Sequence, residues 1–463
     1  MIVNENIVLW VVGTIMQAIS FSFFLYFMIK EKSSFGLICF LSSYVLSTQE
    51  FIPPFYSLIS NRYPDWMVLL RDNSISFGVF LSGVYWLTFL IGICFFYKNK
   101  SDFVFTRLIV RIIPKNKFYP FLIFIGMVSF LGHFALDSEA LSEGFGSAGA
   151  VITDRNVRTS VFSGLLGPFG ALAMPCAAAL LAVSLLGENK DLKTWIYIRY
   201  FTYLFLFLVI VFGFTMGARG QLLTVGIILC AIYWIFYDRK KVFNILLYVA
   251  IFGILSSPVI LTYKAQKDLY LNLSFIDRIE NIANIFFDSR SDFHILDSLE
   301  RIIYRYDGVH NGGNLALYAL ETHYVHLIPY INTFYAVIPR FFWPEKPQPK
   351  SVDGKGATTP NLITGVVSGR PWMTTSVSPS AIAFWQFGFI GVFLVAFVQS
   401  FFISILEKFI FRKDRPELFM FFYFLLLPLG LFLHTWFMII QWVIPIVCLF
   451  IIYKAIFYKK SIY

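Results

Sequence analysis

Apolar runs of about 20 residues recur along the chain, and a helix of that length crosses roughly 30 Å of hydrocarbon. They fall near 8–29, 35–53, 75–97, 118–136, 161–187, 200–216, 221–237, 243–262, 381–406, 418–435 and 438–457. Composition closes off the other folds: of 463 residues 58% are hydrophobic and 14% charged, with 55 Phe. Soluble domains run nearer a quarter charged, so a set of soluble domains, a nucleic-acid binder and a disordered chain are all excluded. The short alternating segments of a membrane β-barrel are missing too. The expected fold is an all-α polytopic integral membrane protein with about 11 transmembrane helices. Helices 1–8 occupy 1–262, a large outer loop with amphipathic helices covers 263–380, and helices 9–11 occupy 381–463.

Charge position gives the orientation. The first cation is Lys30, so the N-terminus has no basic region of the signal-peptide kind and reads as a first membrane helix. One set of short connections holds Lys30 and Lys32, the cations from Lys98 to Lys117, Lys190 to Arg199, Arg239 to Lys241, Lys408 to Arg415, and Lys454 to Lys460. By the positive-inside rule that side is cytoplasmic. Eleven spans with the N-terminus outside place every one of those segments inside. All five Cys lie in apolar runs, which disfavours a disulfide framework, and no CxxC motif occurs.

The two sides differ in cation type as well. Fifteen of the 20 Lys fall on the cytoplasmic side, whereas the outer side holds eleven Arg against five Lys. Topology needs only a charge. Arg is preferred where a planar fork must grip phosphate or carboxylate through two oxygens, so the outer Arg set points to an anionic ligand. Local ion pairs and snorkelling at the interface are the plainer reading of any single one.

The segment 263–380 is too long for a structureless connector. Residues 274–286 place Phe275, Ile279, Ile282 and Phe286 at helical spacing, with Ser274 and Asp277 in capping-box register. Residues 291–306 repeat the pattern, with Asp297, Arg301 and Arg305 four apart on the polar face, where a salt-bridge ladder is the simple explanation. Pro329 and Pro339 are expected to break the helix that follows. The cluster Trp343-Pro344-Glu345-Lys346-Pro347 then makes a rigid aromatic turn at the membrane edge. No P-loop, HExxH or GxSxG occurs, and His323/His326 at i,i+3 is a weak metal pair.

Three passages resemble a family, the bacterial O-antigen and exopolysaccharide repeat-unit polymerases of Wzy type. Gly217-Ala218-Arg219-Gly220-Gln221-Leu222-Leu223 is similar to the family's small-Arg-small turn followed by Leu. Ile338-Pro339-Arg340-Phe341-Phe342-Trp343-Pro344-Glu345-Lys346-Pro347 resembles its iPr-x-x-WP-x-KP stretch. Phe384-Trp385-Gln386-Phe387-Gly388-Phe389-Ile390-Gly391 resembles the nFGxxG start of the span after its large periplasmic loop. The passages stand in the family's order and cover roughly 200–400. The His–Asn that O-antigen ligases carry before that span is replaced here by Thr375-Ser376-Val377-Ser378-Pro379.

The resemblance implies a glycosyltransferase in the bacterial inner membrane, its active site facing the periplasm. It would join undecaprenyl-diphosphate-linked oligosaccharides, with membrane lipid and a chain-length regulator protein as further partners and no cofactor. A departing diphosphate gathers charge that fixed guanidinium groups stabilise. Arg219 is the leading catalytic candidate, a cation between two spans without an acidic neighbour in sequence, followed by Arg290, Arg301 and Arg340. Arg370, Trp343 and Lys346 are candidates for substrate binding, and no metal site is expected. For the acceptor's base Asp307, Glu321 and His310 are open alternatives. The rival functions are the ligase, a lipid-linked oligosaccharide flippase, and a metal-dependent transferase that would use an acidic pair such as Asp137 and Glu139.

Overall fold

The computed structural model describes residues 6–31, 33–60, 72–98, 115–142, 169–170, 172–186, 192–215, 219–238, 240–248, 251, 277, 280, 303–304, 307–328, 331–332, 343–345, 347, 377–412, 414–422, 445–452 and 454. Among them every regular element is helical and no strand occurs. Four helices are long and apolar enough to cross a membrane: Ile7–Lys30, Ser34–Ser57, Ser74–Tyr97 and Pro379–Ile410. Shorter apolar helices at Tyr119–Gly132, Ala173–Leu186, Ile196–Val209 and Val225–Phe236 coincide with four more of the expected runs. The runs expected at 243–262, 418–435 and 438–457 lie largely outside the described residues. Four membrane-length helices are what the described residues carry; eleven remains an expectation. Of the amphipathic helices expected at 274–286 and 291–306, only a few residues are described: Asp277 and Glu280 are helical and exposed, and Tyr304 is buried.

Two compact units divide the chain. The first is built from Met1–Leu108, Glu300–Phe409 and Phe424–Ile440, the second from Ile109–Leu299, Ile410–Tyr423 and Gln441–Tyr463.

In the first unit, helix α1 (Ile7–Lys30) starts at Asn6, whose side chain accepts from the N–H groups of Val8 and Leu9. One stripe of α1, including Val11, Ile15, Ile19, Phe23 and Tyr26, leaves large apolar side chains exposed, as a lipid-facing surface would. Its other face crosses α4 (Ser74–Lys98) at small residues. A Cβ at Gly13 would lie 2.6 Å from the Phe80 backbone, and one at Gly83 would lie 2.6 Å from the Gly13 carbonyl. Glycine is what lets the two backbones approach, which is how helices gain van der Waals contact where no hydrophobic drive separates protein from lipid. Phe24 then packs edge-on against Trp86 and Phe89, at centroid separations of 5.9 and 6.4 Å.

The second candidate span is not a regular α-helix. Helix α2 (Ser34–Val45) runs into a π-turn, Leu46–Phe51, before α3 (Ile52–Ser60) resumes. Pro53 and Pro54 give the reason. Neither has an N–H, so the carbonyl of Gln49 finds no donor four or five residues on. Ile52 meanwhile donates to Ser47. The wider turn accommodates this mismatch, and such turns recur at functional sites.

The remaining elements of this unit are α9 (Gly308–Glu321) and α10 (Pro379–Ile410), taken up below.

In the second unit, α5 (Lys115–Ser142), α7 (Leu192–Thr215) and α8 (Arg219–Phe236) all pack on α6 (Ala173–Leu186), as does a 3-10 turn at Pro416–Phe421. Helix α6 is buried along almost its whole length, and its Ala-rich sequence lets neighbours come close on every side. The Cys176 thiol donates to the Leu122 carbonyl at 3.3 Å. Arg415, counted in the sequence among the cations that set topology, is instead buried. Its Nε donates to Glu417 Oε1 at 2.5 Å, because the turn begun at Pro416 sets the carboxylate beside it. Arg412 stays at the surface, and its guanidinium holds the Asp414 carboxyl below the usual carboxylate range.

Candidate functional site

Helix α9 lies inside the segment read from sequence as an outer loop, yet ten of its 14 residues are buried. Asp307 caps it: Oδ1 accepts from the N–H groups of Val309 and His310, both at 3.0 Å. Aspartate suits that place, since its oxygen satisfies amides that have no partner in the first turn and its charge meets the positive end of the helix dipole. The other oxygen, Oδ2, pairs with His310 Nδ1. Both side chains are shut from water, at 0% exposure for Asp307 and 1% for His310. A carboxylate on Nδ1 holds the ring in one orientation and favours the proton on that nitrogen, which makes Nε2 the basic one. Buried Asn311 adds a third bond to the same turn, its amide donating to the Asp307 carbonyl at 3.0 Å.

Glycines seat this turn. A Cβ at Gly313 would strike the Ser74 carbonyl at the start of α4, and one at Gly78 would strike the Val309 carbonyl. On the opposite side Gly308 accepts from the Ser378 N–H at 3.0 Å, next to the start of α10. Buried hydroxyls of Ser74, Ser378 and Ser380 surround the turn, so a polar layer lies at this end of the helices.

The far end of α9 is held by a break in α10. Phe387 (φ −137°, ψ 17°) and Gly388 (φ 64°, ψ −154°) leave the helical region, and the second conformation is one that only glycine adopts readily. The break strips the carbonyls of Trp385 and Gln386 of their helical donors. The N–H groups of Val325 and His326 replace them, at 3.1 and 3.2 Å. The sequence places the end of α9 at Pro329; it comes earlier, at Glu321, because the residues after Thr322 are drawn into the break. Tyr324 packs on Phe384 and closes over Gly388, where a Cβ would sit 3.2 Å from its hydroxyl.

A second buried carboxylate lies deeper in this unit. Glu50, on the π-turn, is wholly enclosed; its Oε2 accepts from the Ser82 hydroxyl and, at 2.9 Å, from the Trp86 indole N–H. Gln17 of α1 donates to the same serine at 2.7 Å. In sequence Glu50 is merely an acid near the end of the apolar run 35–53. The legible signal is Ser82 and Trp86 four apart on one face of α4. Glu407, near the end of α10, is also buried, against the Ser34 hydroxyl.

Compared with protein-family profiles, with curated proteins and with solved structures, the chain matches none.

The residues chosen from sequence are only partly within view. Arg219 is the first residue of α8, four positions after α7 ends at Thr215, as a turn between spans requires; its side chain lies outside the described part. Arg290, Arg301, Arg340, Arg370 and Lys346 lie outside the described residues. Trp343 is half-buried, and Pro344 and Glu345 form an exposed turn after it. Of the three open candidates for the base, Asp307 and His310 are brought together, whereas Glu321 is exposed at the opposite end of α9. His323 and His326 are both exposed beyond the helix end, and among the described residues no three His, Cys, Asp or Glu gather to hold a metal.

Proposed function

We propose that the protein is a membrane glycosyltransferase that polymerises undecaprenyl-diphosphate-linked oligosaccharide repeat units at the outer leaflet of the bacterial inner membrane. Eleven spans and a periplasmic 263–380 segment are part of this reading. The observation that carries it is a coincidence of pattern and geometry. The passage resembling nFGxxG is the place where α10 breaks, and the segment filling the break leads straight from the helix that bears Asp307 and His310. Broken membrane helices are tolerated where neighbouring protein satisfies their backbone, and they recur at binding sites for polar substrates. In this mechanism the growing chain is the donor, and a hydroxyl of the incoming unit attacks its anomeric carbon. Arg219, with Arg290, Arg301 and Arg340, stabilises the departing diphosphate, while Arg370, Trp343 and Lys346 bind substrate.

The test is polymerisation by purified protein in nanodiscs supplied with a lipid-linked repeat unit, read as a ladder of products. A second reading, transport of the same lipid-linked sugar, is favoured by the carboxylates Glu50 and Glu407 buried within candidate spans. Proteoliposomes separate the two: a transporter moves labelled lipid across the bilayer and lengthens nothing.

A further inference from the structure

We propose that Glu50 is a proton-binding site inside the first unit: its carboxyl is held as the neutral acid, with the proton on Oε1. The ligand is the proton alone, and the assignment does not depend on the glycosyl-transfer reading above. The hydrogen bonds around Glu50 carry it. Oε2 accepts twice, from the Ser82 hydroxyl and from the Trp86 indole N–H at 2.9 Å. Gln17 donates to the Ser82 oxygen at 2.7 Å, which leaves the single hydroxyl hydrogen of Ser82 to point at Glu50. Oε1 is buried and accepts from no donor. A carboxylate spreads its charge over both oxygens and draws donors to both, whereas a carboxylic acid has one carbonyl oxygen with two lone pairs and one hydroxyl. Two donors on one oxygen and none on the other is the pattern of the acid.

The surroundings offer little to support an ionised form. The π-turn that bears Glu50 packs on α1, α2, α3, α4 and α9. Along the middle of these elements the titratable groups are Cys39 and Tyr44 of α2, Tyr56 of α3 and Tyr85 of α4. On α9, Asp307 and His310 pair with each other, and Glu321 is exposed at the far end. The cations of α1 and α4, Lys30 and Lys98, come more than a dozen residues after Gln17 and Ser82, about 20 Å or more along the helix. A carboxyl shut in an apolar interior without a countercharge neutralises itself by taking a proton.

A proton needs no cavity, so a wholly enclosed side chain can hold one. The Tyr85 hydroxyl, next to Trp86 in sequence, is buried, unbonded and within electrostatic reach of Glu50, and is an oxygen open to the acid's O–H. The acid also sits on a π-turn within the candidate span Ser34–Ser57. Such turns recur at functional sites, and ionisable groups within membrane helices are the parts from which proton relays are assembled.

The experiment takes the full chain in nanodiscs and makes two measurements. The first is the infrared C=O band of a protonated carboxyl at neutral pH. Wild type minus Glu50→Gln is expected to show that band, and Trp86→Phe to move it to higher frequency, because the carbonyl loses a donor. The second is the melting temperature at about pH 5 and pH 8. Gln copies the acid, with an oxygen for the two donors and an N–H in place of the O–H. Unfolded, Glu50 is ionised through this window, so folded wild type binds the extra proton and loses stability as the pH rises. Glu50→Gln has no such proton to bind. The difference in melting temperature should therefore move by a few degrees in favour of Gln from pH 5 to 8, while effects of Asp307 and His310 are common to both proteins. Absence of the band, a difference that stays constant with pH, or a Glu50→Gln chain that fails to fold overturns the proposal. Stabilisation of wild type alone by Na⁺ or K⁺ over choline overturns it too, by putting a cation at Oε1.

Discussion

Replacing Gly388 with Ala tests whether the break in α10 is built into the fold. At φ 64° and ψ −154° a Cβ is strained whatever the space, by about 1–3 kcal/mol. The new methyl would also sit 3.2 Å from the Tyr324 hydroxyl, which can give only by leaving its place against Phe384. The chain has one escape, to restore regular helix through 385–390. That would release the N–H groups of Val325 and His326 from their carbonyls, at about 0.5–1.5 kcal/mol each. Either way the loss is about 2 kcal/mol, or a fall of roughly 4–8 °C in melting midpoint for a unit of this size. The assay is thermal unfolding in detergent by circular dichroism, with Gly126→Ala as control. A Cβ there meets side-chain atoms alone, the ring edge of Phe201 at 3.1 Å and Cys176 Sγ at 3.4 Å, and the ring tip can yield. A Gly388→Ala protein melting within a degree of wild type, alongside an unmoved control, would refute the reasoning.

Four further outcomes are expected. Arg219→Lys keeps a charge but loses the two-pronged grip, and should slow polymerisation roughly 30- to 1000-fold, or about 2–4 kcal/mol, at normal protein levels in the membrane; near-normal polymer would remove Arg219 from the site. Polymerisation should survive EDTA, because guanidinium groups do the stabilising; loss in chelator with recovery in Mg²⁺ would move the assignment to a metal-dependent transferase. Glu50→Ala strands the Ser82 hydroxyl and the Trp86 N–H, at about 1–3 kcal/mol apiece, whereas Glu50→Gln keeps an oxygen for them; equal melting points would show that the network contributes nothing. A thiol placed at residue 350, after replacement of the five native Cys, should react with reagent from the outside only, and labelling solely from the cytoplasm would reverse the topology.

Apolar runs near 8–29, 75–97 and 381–406 name their helices to within a few residues, because in such runs length and hydropathy act alone. The π-turn is less legible, since its cause is a backbone deficit at Pro53 and Pro54 rather than any hydrophobic period. The seating of α9 is hidden for another reason. The glycines at this contact read as loop or filler residues, and only the carbonyls they face, Ser74 against Gly313 and Val309 against Gly78 of α4, reveal that they are contact points. At the site, Asp307 and His310 were visible as types and unranked as roles. Their three-residue spacing becomes chemistry once Asp307 is seen to start the helix. Ser82 and Trp86 share a face of α4, but that this face meets Glu50, and that Gln17 joins through Ser82, is not legible because the three come from different helices.

The donors that fill the break in α10 lie some sixty residues upstream of the carbonyls they satisfy. During synthesis Val325 and His326 therefore emerge first, and Trp385 to Gly388 reach the bilayer after their partners have been made. Two bare carbonyls are costly in hydrocarbon, so α10 settles only when residues 323–326 already lie at its depth. Val325 and His326 are thus a checkpoint in the order of assembly, set by backbone amides alone, and side-chain substitution at either position should leave that order unchanged.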